Sequence, residues 1–433
     1  MRAGSRIKTI TAREVFSDRG HPGLEAVVIT EDGSRGVAMA TAGLSIGKHE
    51  VQFIYDGGTR WEGKGVLRAV ANVREVIAPA LKGKDAIQQR EIDLTMIELD
   101  GTSNMARLGG NATAAVSAAV LKAGAASLGI PLYQHIGGAN ACLLPVPCAG
   151  AFGGSGRYGG GPEGNSTGDK PSYSFVCYGF DTFSEASYAG WEVSRAFNRL
   201  LQARLKAGSP ASGYWGISPG MVSHDRELWN LMAEAITSAG YAGRVGMQVD
   251  VAAGTYYDEK RGVFKGLFCT KELTREQLIE TYREMVRDFP FVIIEDPLGE
   301  EDYEGHALLT RELGVEIVGD DLFTTNPSRL AQGIAVGGAN CMLLKVNQVG
   351  TITQAFDAVV MAYRAGYAVM PCMSRGEGEA LADYVVGLGT GQTREGVGGS
   401  LGNRFLEIES ELGSSAKFLG RQALKVRWSE RES

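Results

Sequence analysis

Three short apolar runs that each stop on an acid, followed by a fourth that stops on a lysine, constrain this chain more than any other feature. They run from Val245 to Asp250, from Phe289 to Glu295, from Val315 to Asp320 and from Cys341 to Lys345. Each is rich in Val, Ile or Leu without polar alternation, the pattern of a parallel strand buried on both faces. Segments of helical character separate them, such as Thr274 to Asp288 and Asn326 to Gly337. From Glu295 to Asp320 and from Asp320 to Lys345 is one β/α unit each, so consecutive strands of a barrel would deliver Asp250, Glu295, Asp320 and Lys345 to one rim.

Three carboxylates on one rim raise each other's pKa unless a cation lies between them. An all-oxygen donor set favours Mg²⁺, whereas Zn²⁺ draws His or Cys. Lys345, buried beside such a cation, is expected to have a depressed pKa and to serve as a base. The bland reading is four ordinary strand-end residues or salt-bridge partners. It needs the same coincidence on four consecutive strands.

A length of 433 residues exceeds one small core and fits a capping domain plus a barrel. A net charge of −7 with no basic stripe argues against a nucleic-acid partner. Cys142, Cys148, Cys177, Cys269, Cys341 and Cys372 show no paired spacing and are expected to be reduced thiols of a cytoplasmic protein. No apolar run is long enough for a signal peptide or a membrane span, so no membrane partner is expected.

Several long stretches carry a resemblance. Ala12-Arg-Glu-Val-Phe-Ser-Asp-Arg-Gly-His-Pro22, Met96 to Thr102, Leu108 to Ala112, Lys122 to Ala126 and Leu344-Lys345-Val-Asn-Gln-Val-Gly350 together resemble enolase, over nearly the whole chain. The resemblance implies an α/β fold: an enolase-like, TIM-type β/α barrel with an N-terminal α+β capping domain. Residues 1–140 would form the cap, with strands at Ala26 to Thr30 and Arg35 to Ala40 and helices at Gly65 to Leu81 and Ala112 to Leu128. Residues 141–433 would form the barrel, after the Pro-rich linker Leu144-Pro-Val-Pro147. The resemblance also implies Mg²⁺ held by Asp250, Glu295 and Asp320, and a homodimer. Gly43-Leu-Ser45-Ile-Gly47-Lys48-His49-Glu50 resembles the family's mobile active-site loop, which assigns Ser45 to a second Mg²⁺; a plain surface turn is the bland alternative.

Other positions depart from the family. Gly156 stands where the family has a histidine, in a glycine-crowded stretch from Gly153 to Gly161 that reads as a phosphate cradle built around Arg157 or as a lid. Ser172 replaces a glutamate, and Tyr214 to Gly220 has no carboxylate where the family places its general acid. Met373 replaces a second histidine, and Ser374 and Arg375 stand in swapped order relative to the family's phosphate ligands. Arg394 replaces the lysine that holds the substrate carboxylate; it keeps the charge but cannot carry a proton near neutral pH.

The metal ligands and base are thus kept while the leaving-group side is changed. The expectation is an Mg²⁺-dependent enzyme that abstracts the proton α to the carboxylate of a small phosphorylated or phosphonate acid. Lys345 would be the base, Arg394 would hold the enolate, and Arg375, Ser374 and Arg157 would bind the substrate. Such an enzyme is similar to the carboxyphosphonoenolpyruvate synthases of phosphonate pathways. Two alternatives stand beside it. One is a true 2-phosphoglycerate dehydratase with a relocated acid, for which His224, Asp225 and Glu163 are nearby in sequence. The other is a non-catalytic scaffold, which the intact Asp250, Glu295, Asp320 and Lys345 oppose because a buried acid cluster without function costs stability.

Overall fold

The computed structural model describes residues 3–17, 20–43, 47–154, 156–160, 170–205 and 215–431. The N-terminal part is an antiparallel sheet of β1 (Ile7–Phe16), β2 (Pro22–Thr30) and β3 (Arg35–Ala40) in that order. Alternation along β2 buries Leu24, Ala26 and Val28 against helix α2 (Gly110–Leu128), on which helix α1 (Gln89–Asp100) packs in turn. The helix α2 is buried almost all round because Ala and Gly dominate it, which lets backbones approach closely. At Gly36 of β3 an added Cβ would lie 1.9 Å from the Ala119 carbonyl oxygen, so only glycine fits there.

The barrel strands are β4 (Val146–Gly153), β5 (Ser172–Cys177), β6 (Val245–Asp250), β7 (Phe291–Glu295), β8 (Glu316–Gly319), β9 (Cys341–Leu344), β10 (Ala368–Pro371) and β11 (Gln392–Gly396). They form one nearly closed sheet in the order β10-β9-β8-β7-β6-β5-β4-β11. The run β6 to β10 is parallel throughout, as the unalternating apolar pattern predicts. A reversed strand departs from an all-parallel barrel: β5 is antiparallel to both β4 and β6, so its first residue, Ser172, lies opposite Asp250 at the rim.

The helices between the strands start where the sequence supplies a cap. Thr274 forms a capping box with Gln277 at the start of α3 (Arg275–Asp288). Asn326 caps α4 (Pro327–Val336), which carries Pro at its first turn and ends on Gly337 at φ 71°. Thr351 caps α5 (Ile352–Arg364). Buried Asp93 of α1 joins cap to barrel here, accepting from the Thr353 backbone N–H at 2.9 Å, the Thr353 hydroxyl at 2.7 Å and the Ser117 hydroxyl at 2.6 Å. The expected helix from Gly65 to Leu81 is interrupted by a π turn at Val73–Ile77. All six cysteines are free, and among the described residues no single helix is long and apolar enough to cross a membrane.

Candidate active site

The rim expected from the sequence is present. Asp250 and Glu295 end β6 and β7 and pair in register, while Asp320 and Lys345 follow β8 and β9 directly. All four side chains are buried. Lys345 Nζ contacts Asp320 Oδ2, and Gln348 Nε2 donates to Asp320 Oδ1 at 3.0 Å. Arg394, on β11 across the barrel, donates from Nε to Glu295 Oε2 at 2.9 Å and from Nη2 to Asp250 Oδ2 at 3.5 Å. Nη1 donates to Ser174 Oγ at 3.2 Å, and Nη2 also donates to Ser172 Oγ at 3.0 Å. Lys170, immediately before β5, places its ammonium on Asp250 Oδ2.

Two acids missed in the sequence reading join this rim. The carboxylate oxygens of Asp296, Asp320 and Asp321 lie within 4.8 Å of one another. Asp296 accepts the backbone N–H groups of Asp320 at 3.0 Å and Asp321 at 2.7 Å. It adopts φ 42°, one of several left-handed residues just past the strand ends, with Ala252, Thr324 and Thr325. Such strain costs about 1–3 kcal/mol per residue and persists only where surroundings fix it. Burial, then the charges of Asp321 and Asp320, raises the Asp296 pKa well above the carboxylate range. Burial and Asp320 push Asp321 up to about 7. The doubled acids Glu295-Asp296 and Asp320-Asp321 were the available signal. Oxygen-only and mutually repelling, with Asp296 and Asp320 buried and Asp321 half-buried, this trio fits a hard divalent cation. It shares only Asp320 with the set Asp250, Glu295 and Asp320 expected from the sequence, whose carboxylates pair with Lys170, Arg394 and Lys345.

The charge state of Lys345 corrects an expectation. Burial disfavours its ammonium, but the touching Asp320 carboxylate outweighs that and holds the Lys345 pKa above the ordinary lysine value. Asp320 is held below its ordinary value by the same contact, against the opposing effect of burial. For Lys170, burial prevails over the attraction of Glu295 and lowers its pKa.

Arg157 has other partners than the expected substrate. Its guanidinium grips Asp225 with two bonds, Nε at 3.1 Å and Nη2 at 2.8 Å, and its Nη1 donates to the Gly154 carbonyl. Asp225 is fully buried and also accepts the hydroxyls of Tyr158 at 2.8 Å and Tyr173 at 2.7 Å. This hub spends both Arg157 as an anion ligand and Asp225 as an acid. His224 accepts the Arg226 backbone N–H at 2.9 Å, and burial lowers its pKa. The described part of the glycine loop packs closely: a Cβ on Gly160 would meet the Lys265 carbonyl oxygen at 1.7 Å. Ser45, Ser155, Glu163 and Tyr214 lie outside the described residues.

Arg375 is fully buried and pairs with Glu50 from the cap, whose Oε1 also accepts the Gly47 N–H at 3.1 Å and Gln348 Nε2 at 3.3 Å. Cap and barrel mouth meet again where Lys48 lies 3.3 Å from Glu300 and His49 lies 2.6 Å from Glu301. Ser374, half-buried, lies in the irregular stretch that follows β10, next to Arg375. A cavity of about 620 Å³ opens beside Asp296 and Asp321, with Lys48, Tyr257, Phe264 and Glu300 on its wall.

Fold and mouth together define a capped β/α-barrel protein with an acid-lined mouth and a lysine among the acids. The chain belongs to the enolase family. "Enolase, N-terminal domain" matches residues 7–136 and "Enolase, C-terminal TIM barrel domain" matches residues 142–427. Relatives named "Enolase" include one from Methanopyrus kandleri, 44% identical over 425 residues that cover 95% of this chain and 97% of that protein. One from Methanocaldococcus jannaschii is 42% identical over 423 residues, covering 96% and 97%. One from Thermococcus gammatolerans is 41% identical over 428 residues, again covering 96% and 97%. The chain is therefore an enolase-superfamily enzyme, and these relatives weigh toward the enolase alternative and away from the expected phosphonate-synthase type.

Proposed function

We propose that this chain is an Mg²⁺-dependent lyase that forms an enolate from a small phosphorylated 3-hydroxy acid, 2-phosphoglycerate first among them, and releases the 3-hydroxyl as water, with the proton for the departing oxygen taken from solvent. The observation that carries the reading is Lys345 set against Asp320 on the same rim as Asp250 and Glu295. The relatives named "Enolase" over nearly the full length support it.

In this reading Lys345 acts as the free amine, which requires Asp320 to be drawn away from it as a ligand of the cation would be; Nζ then takes the proton from the substrate carbon α to the carboxylate. Arg394 turns its fork to the substrate carboxylate and balances the charge that develops there. Mg²⁺ would be held by Asp250, Glu295 and Asp320, with Ser45 proposed for a second ion, and would supply electrostatic stabilisation of the enolate. Arg375 and Ser374 are proposed as phosphate ligands, with Arg375 exchanging Glu50 for the phosphate. Buried Lys345, Arg394 and Arg375 make the mouth selective for multiply charged anions. We further propose a cytoplasmic homodimer, in keeping with the six free thiols and, for the pairing, with the family resemblance; light scattering of the purified protein tests the pairing.

One observation favours a second reading, in which the enolate of a related phosphonate or phosphorylated acid is used without simple dehydration. On the β5 side of the mouth stand Ser172, Ser174 and Lys170, and the sequence from Tyr214 to Gly220 offers no carboxylate. A single experiment separates the readings. The purified protein with Mg²⁺ and 2-phosphoglycerate in D₂O is followed by NMR for phosphoenolpyruvate and for α-deuteration. Phosphoenolpyruvate formation supports the first reading, and exchange without elimination supports the second. If neither 2-phosphoglycerate nor phosphonate 2-hydroxy acids exchange, both fail.

A further inference from the structure

Lys170 is a cation inside the mouth that the proposed chemistry has not yet used. Its side chain is 20% exposed and its ammonium contacts Asp250 Oδ2, the oxygen that Arg394 Nη2 approaches at 3.5 Å. Its backbone is fixed from two directions. Tyr256 Oη donates to the Lys170 carbonyl at 2.7 Å. Ser172, two residues on, pairs in register with Asp250, and the next residue, Tyr173, is bolted to the Asp225 hub. The side chain therefore leaves a held backbone rather than a free loop.

The local charges define what this cation can do. Lys170, Arg394 and Lys345 face Asp250, Glu295 and Asp320, three cations against three carboxylates. A divalent cation on those carboxylates draws their charge toward itself. Lys170 and Arg394 then have positive charge to spare on the side lined by Ser172 and Ser174. A phosphorylated acid brings a carboxylate and a phosphate, enough negative charge to restore balance. A buried ammonium next to a guanidinium is stable only when such charge is present.

We infer that Lys170 is a substrate-anion ligand, placing its ammonium on an anionic oxygen of the substrate beside the oxygen held by Arg394. This rests on the enolate-forming reading of the same site. The serines contribute to the same face through the Arg394 guanidinium, so the β5 side becomes a cationic, hydroxyl-lined wall instead of an acidic one. Lys170 would thus set specificity for multiply charged acids.

Calorimetric titration of 2-phosphoglycerate into Mg²⁺-loaded protein tests this, with wild type, Lys170→Met, Lys170→Gln and Lys170→Arg compared after a circular-dichroism check of folding. Lys170→Met and Lys170→Gln should each weaken binding by about 10–100-fold, the range of a lost charged hydrogen bond, and Lys170→Arg should recover part of it. The salt dependence of binding should flatten in Met and Gln variants. Mg²⁺ titrated alone should bind the Met variant at least as tightly as wild type, because a competing cation on Asp250 is gone. Unchanged 2-phosphoglycerate affinity in folded Met and Gln variants would overturn the inference and leave Lys170 as a counter-ion of Asp250. If wild type itself binds no 2-phosphoglycerate, the functional reading falls and the inference with it.

Discussion

Arg394 reaches across the barrel to Glu295, Nε to Oε2 at 2.9 Å, and in doing so ties the last strand to the acid rim. Both side chains are buried, at 4% and 1% exposure, so each is the other's main protection against an uncompensated charge. Removing one partner of such a pair costs about 3–5 kcal/mol. Arg394→Met should therefore lower the thermal stability of metal-free protein, and Mg²⁺ should restore much of the loss by taking over Glu295 and Asp250. Differential scanning calorimetry with and without Mg²⁺ checks this; equal losses in both conditions would contradict a shared acid site.

Lys345 is the proposed base. Lys345→Ala should reduce α-deuteration of 2-phosphoglycerate by about 10²–10⁴-fold. Calorimetric affinity for the substrate should change far less. A variant that exchanges at the wild-type rate would remove Lys345 from the chemistry.

Asp296 orients Asp320 and Asp321 through their backbone N–H groups. Asp296→Asn keeps one acceptor but denies the cluster a carboxylate that a bound cation would otherwise ionise. Weakening of Mg²⁺ binding by about 10–100-fold is expected, the usual effect of a residue that supports a ligand. Undiminished Mg²⁺ affinity by titration calorimetry would show that Asp296 serves the backbone alone.

Asp225 neutralises buried Arg157 and receives two tyrosine hydroxyls. Asp225→Asn should destabilise the fold by about 3–5 kcal/mol in urea unfolding, because Arg157 is left buried without its counter-charge. Mg²⁺ affinity should stay within a few-fold of wild type. A large loss of Mg²⁺ binding with normal stability would instead make Asp225 part of the site.

Glu316 lies at the opposite end of the barrel, fully buried, with Gln392 Nε2 at 3.1 Å and the Lys425 N–H at 2.8 Å. Burial, only partly offset by these donors, raises its pKa to about 7 from 4.5. The folded state thus holds this proton more tightly than the unfolded chain. Its contribution to stability is full below pH 4.5 and is lost as pH rises through about 7, on the order of 3 kcal/mol in all. Glu316→Gln should gain stability relative to wild type between pH 5 and about pH 8. Parallel pH profiles of the two proteins in urea unfolding would refute the assignment.

Much of this was legible in the sequence. The buried parallel strands showed as unalternating apolar runs, and the helix starts at Thr274, Asn326 and Thr351 follow local capping chemistry. Strand-end position gave Asp250, Glu295, Asp320 and Lys345, since a barrel sends every such residue to one rim. Asp296 was hidden because its role depends on a left-handed backbone just past the strand, which no periodicity reports. Arg157 misled because a guanidinium in a glycine-rich stretch resembles an anion site equally well when it is spent on a distant carboxylate.

The sequence by itself determined the buried barrel strands and four residues of the rim, because burial periodicity and strand-end spacing are local properties of the chain, and the cap was legible through its resemblance to enolase. Only the tertiary structure decided how the charges are paired. Lys345 belongs to Asp320, Arg394 to Glu295, Lys170 to Asp250 and Arg157 to Asp225, contacts between residues far apart in the chain for all but the closest elements. Coulomb energy depends on separation in space and on burial, and neither is written in the order of residues.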